Sequence, residues 1–160
     1  MRRIVTHWTA GAYSVSALDR EHYHIIIAGD GTLVRGDHTI VDNVSSADGD
    51  YAAHTRNCNT QSIGVSVACM AGAIERPFSA GPYPMTLLQW TTMARVCAQL
   101  CQFYGIQVTP TTVLGHGEVQ RNLGIAQAGK WDPMVLPWKP TLTFTEVGDA
   151  FRNKVKEFLV

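Results

Sequence analysis

Two short, largely apolar runs narrow the fold more than any other feature of this chain. One covers residues 23–28 and contains Ile25-Ile26-Ile27; the other covers 62–69 and is rich in valine and isoleucine. Both are too short for core helices and read as buried strands, the first as a central one. Gly29-Asp30-Gly31 signals a turn after the first run, and 32–35 reads as the returning strand of a hairpin. Residues 3–7 and 112–114 read as further short strands. Thr86 and Gln89 fit a capping box opening a long helix to about Tyr104, closed by Gly105. Thr143 and Glu146 form a second box before a helix whose apolar face carries Val147, Phe151, Val155, Phe158 and Leu159. Between them, 71–84 holds three prolines and two glycines and reads as a loop. The expectation is an α/β fold: a single domain over 1–160, with a central mixed β-sheet flanked by α-helices.

Composition excludes several classes of function. With 160 residues, 46% apolar and only 16% charged, the chain can bury one core and is not a disordered segment. Its formal net charge is zero, so no basic surface advertises a nucleic-acid partner. No apolar stretch is long enough to cross a bilayer, so no membrane insertion is expected. The start, Met1-Arg2-Arg3-Ile4-Val5-Thr6-His7-Trp8, is too brief for a signal peptide, which implies a chain made in the cytoplasm. A monomer is expected. Cys58, Cys69, Cys97 and Cys101 lack paired knuckle spacing and read as reduced, buried thiols.

Three residues stand out chemically: His7 at a strand end, His116 between two glycines, and Asp132 before Pro133. Two imidazoles and one carboxylate form a normal catalytic zinc set with one coordination position left for water. They are distant along the chain, and spacing alone cannot bring them together. Taken singly, each histidine reads more readily as a surface or core residue than as a ligand, and Asp132 before a proline also reads as a turn or helix cap.

An ordered set of blocks adds to this. His7-Trp8-Thr9-Ala10-Gly11, then Tyr23-His24-Ile25-Ile26-Ile27 with Gly29-Asp30-Gly31, resembles the opening of the type 2 N-acetylmuramoyl-L-alanine amidases. The resemblance continues through His54, Asn59 and Ser62-Ile63-Gly64-Val65. It then takes in Gly115-His116-Gly117-Glu118 and closes with Lys130-Trp131-Asp132-Pro133. It implies a peptidoglycan recognition protein-like fold and one zinc ion per chain, held by His7, His116 and Asp132. It further implies Tyr23 and Lys130 as catalytic residues that stabilise charge on the scissile carbonyl oxygen, and His54 and Asn59 as substrate contacts. The implied reaction is zinc-dependent hydrolysis of the amide between N-acetylmuramic acid and L-alanine in peptidoglycan. The implied setting is a phage or prophage endolysin acting on the wall after release. A cytoplasmic muropeptide-recycling enzyme, a secreted toxin amidase and a non-catalytic peptidoglycan-binding module are the alternatives.

Two departures from the family pattern matter. Where some members carry a glutamate as general base, two residues after the glycine of Ser62-Ile63-Gly64, this chain has Ser66. The stretch between His7 and Tyr23 also looks short, so a helix that flanks the groove is expected to be missing. Glu118 reads either as a residue orienting a ligand or as a cap for the segment after His116. His24, alternating with Tyr23, is expected on the opposite sheet face as a structural histidine; His22 and His38 read as surface residues.

Overall fold

The computed structural model describes residues 1–159. Strands β1 (Arg3–Trp8), β2 (Ile25–Ile27), β3 (Leu33–Arg35), β4 (Ser62–Val67) and β5 (Val113–Gly115) form one sheet in the order β3-β2-β4-β1-β5. All neighbours are parallel except the β2–β3 hairpin, which makes the sheet mixed, as expected from the apolar runs. Among the described residues, four α-helices, α1 (Ala17–His22), α2 (Leu87–Tyr104), α3 (His116–Leu123) and α4 (Phe144–Glu157), and a 3-10 helix over Ile40–Val44 complete the fold.

Strand alternation divides the sheet into two chemically different faces. Ile4, Trp8, Ile63, Val65, Val67 and Ile27 pack with Met93, Cys97 and Cys101 of α2 and with Val147, Phe151 and Val155 of α4 in the main core. The other face carries His7 and Ser66, which are register partners, with a small apolar cluster of Val5, Cys58, Leu114 and Val119 beside them. All four cysteines are free and buried. Among the described residues, no helix is long and apolar enough to cross a membrane.

Both predicted capping boxes are present. Thr86 accepts from Gln89 N–H and Thr143 from Glu146 N–H, and Gly105 ends α2 in the left-handed region at φ 66°. The helix expected to be missing before Tyr23 is represented by the six-residue α1, opened by a Ser16–Asp19 capping box. The sequence reading also lacked α3, whose polar first turn follows directly from the strand carrying Gly115.

Glu118 is a cap. Its Oε2 accepts from Gly115 N–H at 2.9 Å and from Arg152 Nη1 at 3.1 Å, while Oε1 accepts from Arg152 Nη2 at 3.1 Å. The pair ties α4 to the β5–α3 turn that carries His116, and both side chains are 5% exposed. Removing one partner strands the other charge in the interior, so Glu118→Ala should lower unfolding free energy by about 3–5 kcal/mol in urea titrations. The exposed partner of the same arginine, Asp149, should contribute at most about 1 kcal/mol when changed to Ala. Equal losses in the two variants would contradict this partition.

Candidate metal centre and active-site cleft

His7, His116 and Asp132 converge. One potential ligand atom from each lies within 4.8 Å of the others, and all three residues are buried. His7 Nδ1 is 3.0 Å from Asp132 Oδ2, and His116 Nδ1 is 3.2 Å from Asp132 Oδ1. The two imidazole rings sit 4.8 Å apart at 70°.

Each member arrives on a different element. His7 occupies the C-terminal part of β1, next to Ser66 of β4. His116 opens α3, immediately after β5. Asp132 lies on the arm after α3, and two glycines let that arm come close. A Cβ on Gly115 would lie 2.2 Å from Met134 Sδ; one on Gly117 would lie 3.1 Å from Trp131 Cα and 3.2 Å from the Lys130 carbonyl. Gly117 N–H donates to the Asp132 carbonyl at 2.8 Å, and Trp131 meets Trp8 edge-on at 4.7 Å. The glycines around His116 are therefore a packing requirement of the arm.

The ring nitrogens turned away from the cluster are also engaged. His116 Nε2 is 2.8 Å from Gln127 Oε1. His7 Nε2 is 3.3 Å from His54 Nδ1 and 3.4 Å from Thr55 Oγ1. His54 Nε2 faces the Ser62 carbonyl at 3.4 Å, which can only accept, so that nitrogen carries the proton and Nδ1 is free to accept.

The electrostatics suit a cation. Burial pushes the His7 imidazole down to about 4, against a smaller opposing pull from its hydrogen bond with Asp132. Burial alone would raise the Asp132 carboxyl, yet hydrogen bonds from His116 and His7 hold it far below the ordinary carboxylate range. A neutral imidazole and an ionised carboxylate are the states that bind a metal. When the outer nitrogens carry the protons, both inner lone pairs face the carboxylate, a repulsive arrangement that a divalent ion relieves. Two histidines and one carboxylate are a zinc donor set with an open position. The residues fit the ion.

Tyr23, Lys130 and His54 border the same cleft of about 340 Å³, with Trp8, Thr9, His22 and Trp131. Tyr23 caps the C-terminus of α1 and does not belong to β2. Its ring is 5.1 Å from that of His7. Burial, then the Asp132 charge, raise its phenol far above its usual value, so it stays an O–H donor; Ser66 lies near enough to oppose this slightly but outside hydrogen-bond geometry.

Because Tyr23 precedes the strand, alternation does not separate it from His24. The His24 ring lies 5.7 Å from that of His54, on the His7 side of the sheet. His24 is buried, accepts from Gly64 N–H at 2.9 Å and donates through Nε2 to Asn43 Oδ1 at 2.9 Å. Asn43, a buried residue that the sequence did not flag, in turn donates to the Ala52 and Asn59 carbonyls. His22 is half-buried rather than fully surface, with Nδ1 2.9 Å from the Ala53 carbonyl. His38 pairs with Asp50 at 3.0 Å.

His54 is 7% exposed and packs so tightly on Gly64 that a Cβ there would meet its ring at 2.5 Å. Asn59 accepts from the backbone N–H groups of His54 and Thr55 through Oδ1 at 3.0 and 2.9 Å. Both line a second hollow of about 520 Å³ that shares Ala53, His54, His116 and Lys130 with the cleft. Gln127 lines it too, and sequence reasoning missed that residue, since a glutamine in a glycine-containing loop carries no signal of burial.

Two outcomes follow from this geometry. Gly117→Ala must push on the backbone of the arm, so zinc affinity measured by chelator competition should fall on the order of 10-fold; unchanged affinity would refute the packing role. In metal-free protein, stability should decline on acidification. His7 and His24 titrate at 6.5 when unfolded but are pushed down to about 4 by burial. Their contribution is complete above 6.5 and is lost as pH falls from there toward 4, by up to about 1.4 kcal/mol per pH unit for each ring. Urea midpoints that stay flat between pH 7 and 5 would show that these rings are not buried in the neutral form.

Comparison with known proteins agrees with the geometry. No curated protein matches the chain. Among solved structures, PlyL superposes with a TM-score of 0.56 at 17% identity, covering 99% of this chain and 86% of its own. The endolysin of Thermus scotoductus bacteriophage Ph2119 gives 0.54 at 15%, covering 96% and 84%. The endolysin LysCS from Clostridium intestinale URNW, an N-acetylmuramoyl-L-alanine amidase, gives 0.53 at 17%, covering 97% and 83%. At these identities the likeness shows a shared fold. The family described as N-acetylmuramoyl-L-alanine amidase matches residues 1–134, the stretch from β1 through the arm that carries Asp132, and the chain belongs to that family.

Proposed function

We propose that this protein hydrolyses the amide bond between N-acetylmuramic acid and L-alanine of peptidoglycan, using one zinc ion held by His7, His116 and Asp132. The observation that carries the reading is the buried donor cluster on the floor of a cleft bordered by Tyr23 and Lys130. Zinc bound there supplies Lewis acidity, which activates water near neutral pH and polarises the scissile carbonyl. The remaining chemistry belongs to the chain. The cleft and the adjoining hollow hold the muramyl-peptide on either side of the cluster, with His54 and Asn59 on the wall beneath it. Tyr23 Oη–H and the Lys130 ammonium donate to the carbonyl oxygen as negative charge develops there. Ser66, 0% exposed beside His7, offers no proton acceptor of useful basicity.

The fold shared with bacteriophage and clostridial endolysins supports a lytic role on the wall over recycling of soluble fragments. We read the protein as an endolysin that reaches the wall after release, acting as a monomer.

Purified protein should contain one zinc by atomic emission and clear cell wall in a zymogram, and should lose clearing on chelation. Mass spectrometry should find new L-alanine amino termini. His116→Ala should lose both metal and cleavage while its circular dichroism stays native. Tyr23→Phe and Lys130→Met should keep zinc and lower kcat by about 10²–10³-fold. Ser66→Ala should keep most activity. Muropeptide binding with neither zinc nor cleavage would instead establish a recognition module.

A further inference from the structure

Gln127 lies in the stretch between α3 and Asp132 and is 4% exposed. Its Nε2 donates to the Arg56 carbonyl at 2.8 Å, and its Oε1 lies 2.8 Å from His116 Nε2. A backbone carbonyl only accepts, so the Arg56 contact decides which way the amide faces. The reversed amide would set two oxygens against each other at that distance. With Oε1 toward the imidazole, the contact is favourable only when His116 Nε2 carries a proton. The lone pair is then on Nδ1, the atom 3.2 Å from Asp132 Oδ1. The residue is held from behind as well, because its backbone N–H donates to Gln120 Oε1 of α3 at 3.0 Å.

We propose that Gln127 is a positioning residue that transmits the orientation of the Arg56 carbonyl to His116, fixing that ring with its Nδ1 lone pair directed into the donor cluster. The proposal rests on the metal reading given above. It also gives the 53–59 loop a double function. Through His54 and Thr55 the loop meets the outer nitrogen of His7, and through Arg56 and Gln127 it governs the outer nitrogen of His116. The two imidazoles come from elements far apart in the chain, and this loop braces both from the side away from the metal. Contacts of this kind hold the ring of a metal-binding histidine in place and raise its basicity.

Two substitutions separate orientation from packing. Gln127→Met and Gln127→Glu each lose the donor to Arg56 and should lower the melting temperature of the metal-free protein to a similar extent. Only Gln127→Met also loses the acceptor facing His116. Its zinc affinity, measured by chelator competition at pH 7.5, should fall about 10–100-fold, whereas Gln127→Glu should stay within about 3-fold of wild type. The visible absorption bands of cobalt-substituted protein should shift in Gln127→Met and be preserved in Gln127→Glu. Wild-type affinity in Gln127→Met, or equal weakening in both variants, overturns the proposal while the metal reading stands. Failure of the wild-type protein to bind zinc or cobalt overturns both.

Discussion

Asp132 is an ionised carboxylate kept out of water, and much of the surrounding structure serves to make that tolerable. Removing such a charge from solvent costs several kcal/mol even after relaxation, and the cost is met only with hydrogen bonds of good geometry or a bound cation. Here two imidazole nitrogens face its oxygens at 3.0 and 3.2 Å. The backbone around it is equally committed, since the Asp132 carbonyl is engaged by Gly117 N–H. With the imidazole lone pairs turned toward those oxygens, a shared cation is what would compensate the carboxylate, and losing either histidine would remove one of its donors.

The sheet explains why residues so distant in sequence can meet. β1, β4, β2 and β5 run parallel, so their C-terminal ends lie at one edge, where open α/β sheets commonly bind ligands. His7 and Ser66 occupy that end as register partners, and His116 follows the last residue of β5. The opposite sheet face is committed to α2 and α4, so the chemistry falls to the His7 face. That face carries α3, whose Val119 packs on Val5 and Leu114, and loops such as 53–59, whose backbone polar groups are available as donors and acceptors. The Glu118–Arg152 pair joins these halves, because it anchors the His116 turn to a helix of the main core.

Legibility in the sequence followed the range of the interaction. Both capping boxes, the Gly105 stop and the β2–β3 hairpin depend on neighbours within a few residues, and each was readable. The donor set was readable only by resemblance, because spacing says nothing about how β1, β5 and the arm are arranged. His24 was put on the wrong side by extending strand alternation into Tyr23, a residue whose direction is set by the end of α1. Asn43 and Gln127 look like ordinary loop residues, yet each is buried with both ends of its amide engaged across the fold. α3 was missed because it is short and opens on a hydrophilic turn, with only Val119 and Leu123 as its apolar contacts.

The replacement of a carboxylate by Ser66 bears on how charge is balanced. Two neutral imidazoles and one carboxylate leave a divalent ion with one uncompensated positive charge, and a second buried carboxylate beside His7 would cancel it. With the proposed ion in place, a net positive centre next to Lys130 would favour negative charge developing on a carbonyl oxygen. Four of the side chains around the cluster are poorly suited to taking a proton. Burial pushes His7 and His54 down, Asp132 is held far below the ordinary carboxylate range, and Tyr23 is held as a donor. Each is therefore a weak proton acceptor near neutral pH. Under the zinc hydrolysis proposed above, deprotonation would then fall to the Lewis acidity of the ion, and the side chains would be left to orient the donors and to meet charge on the substrate.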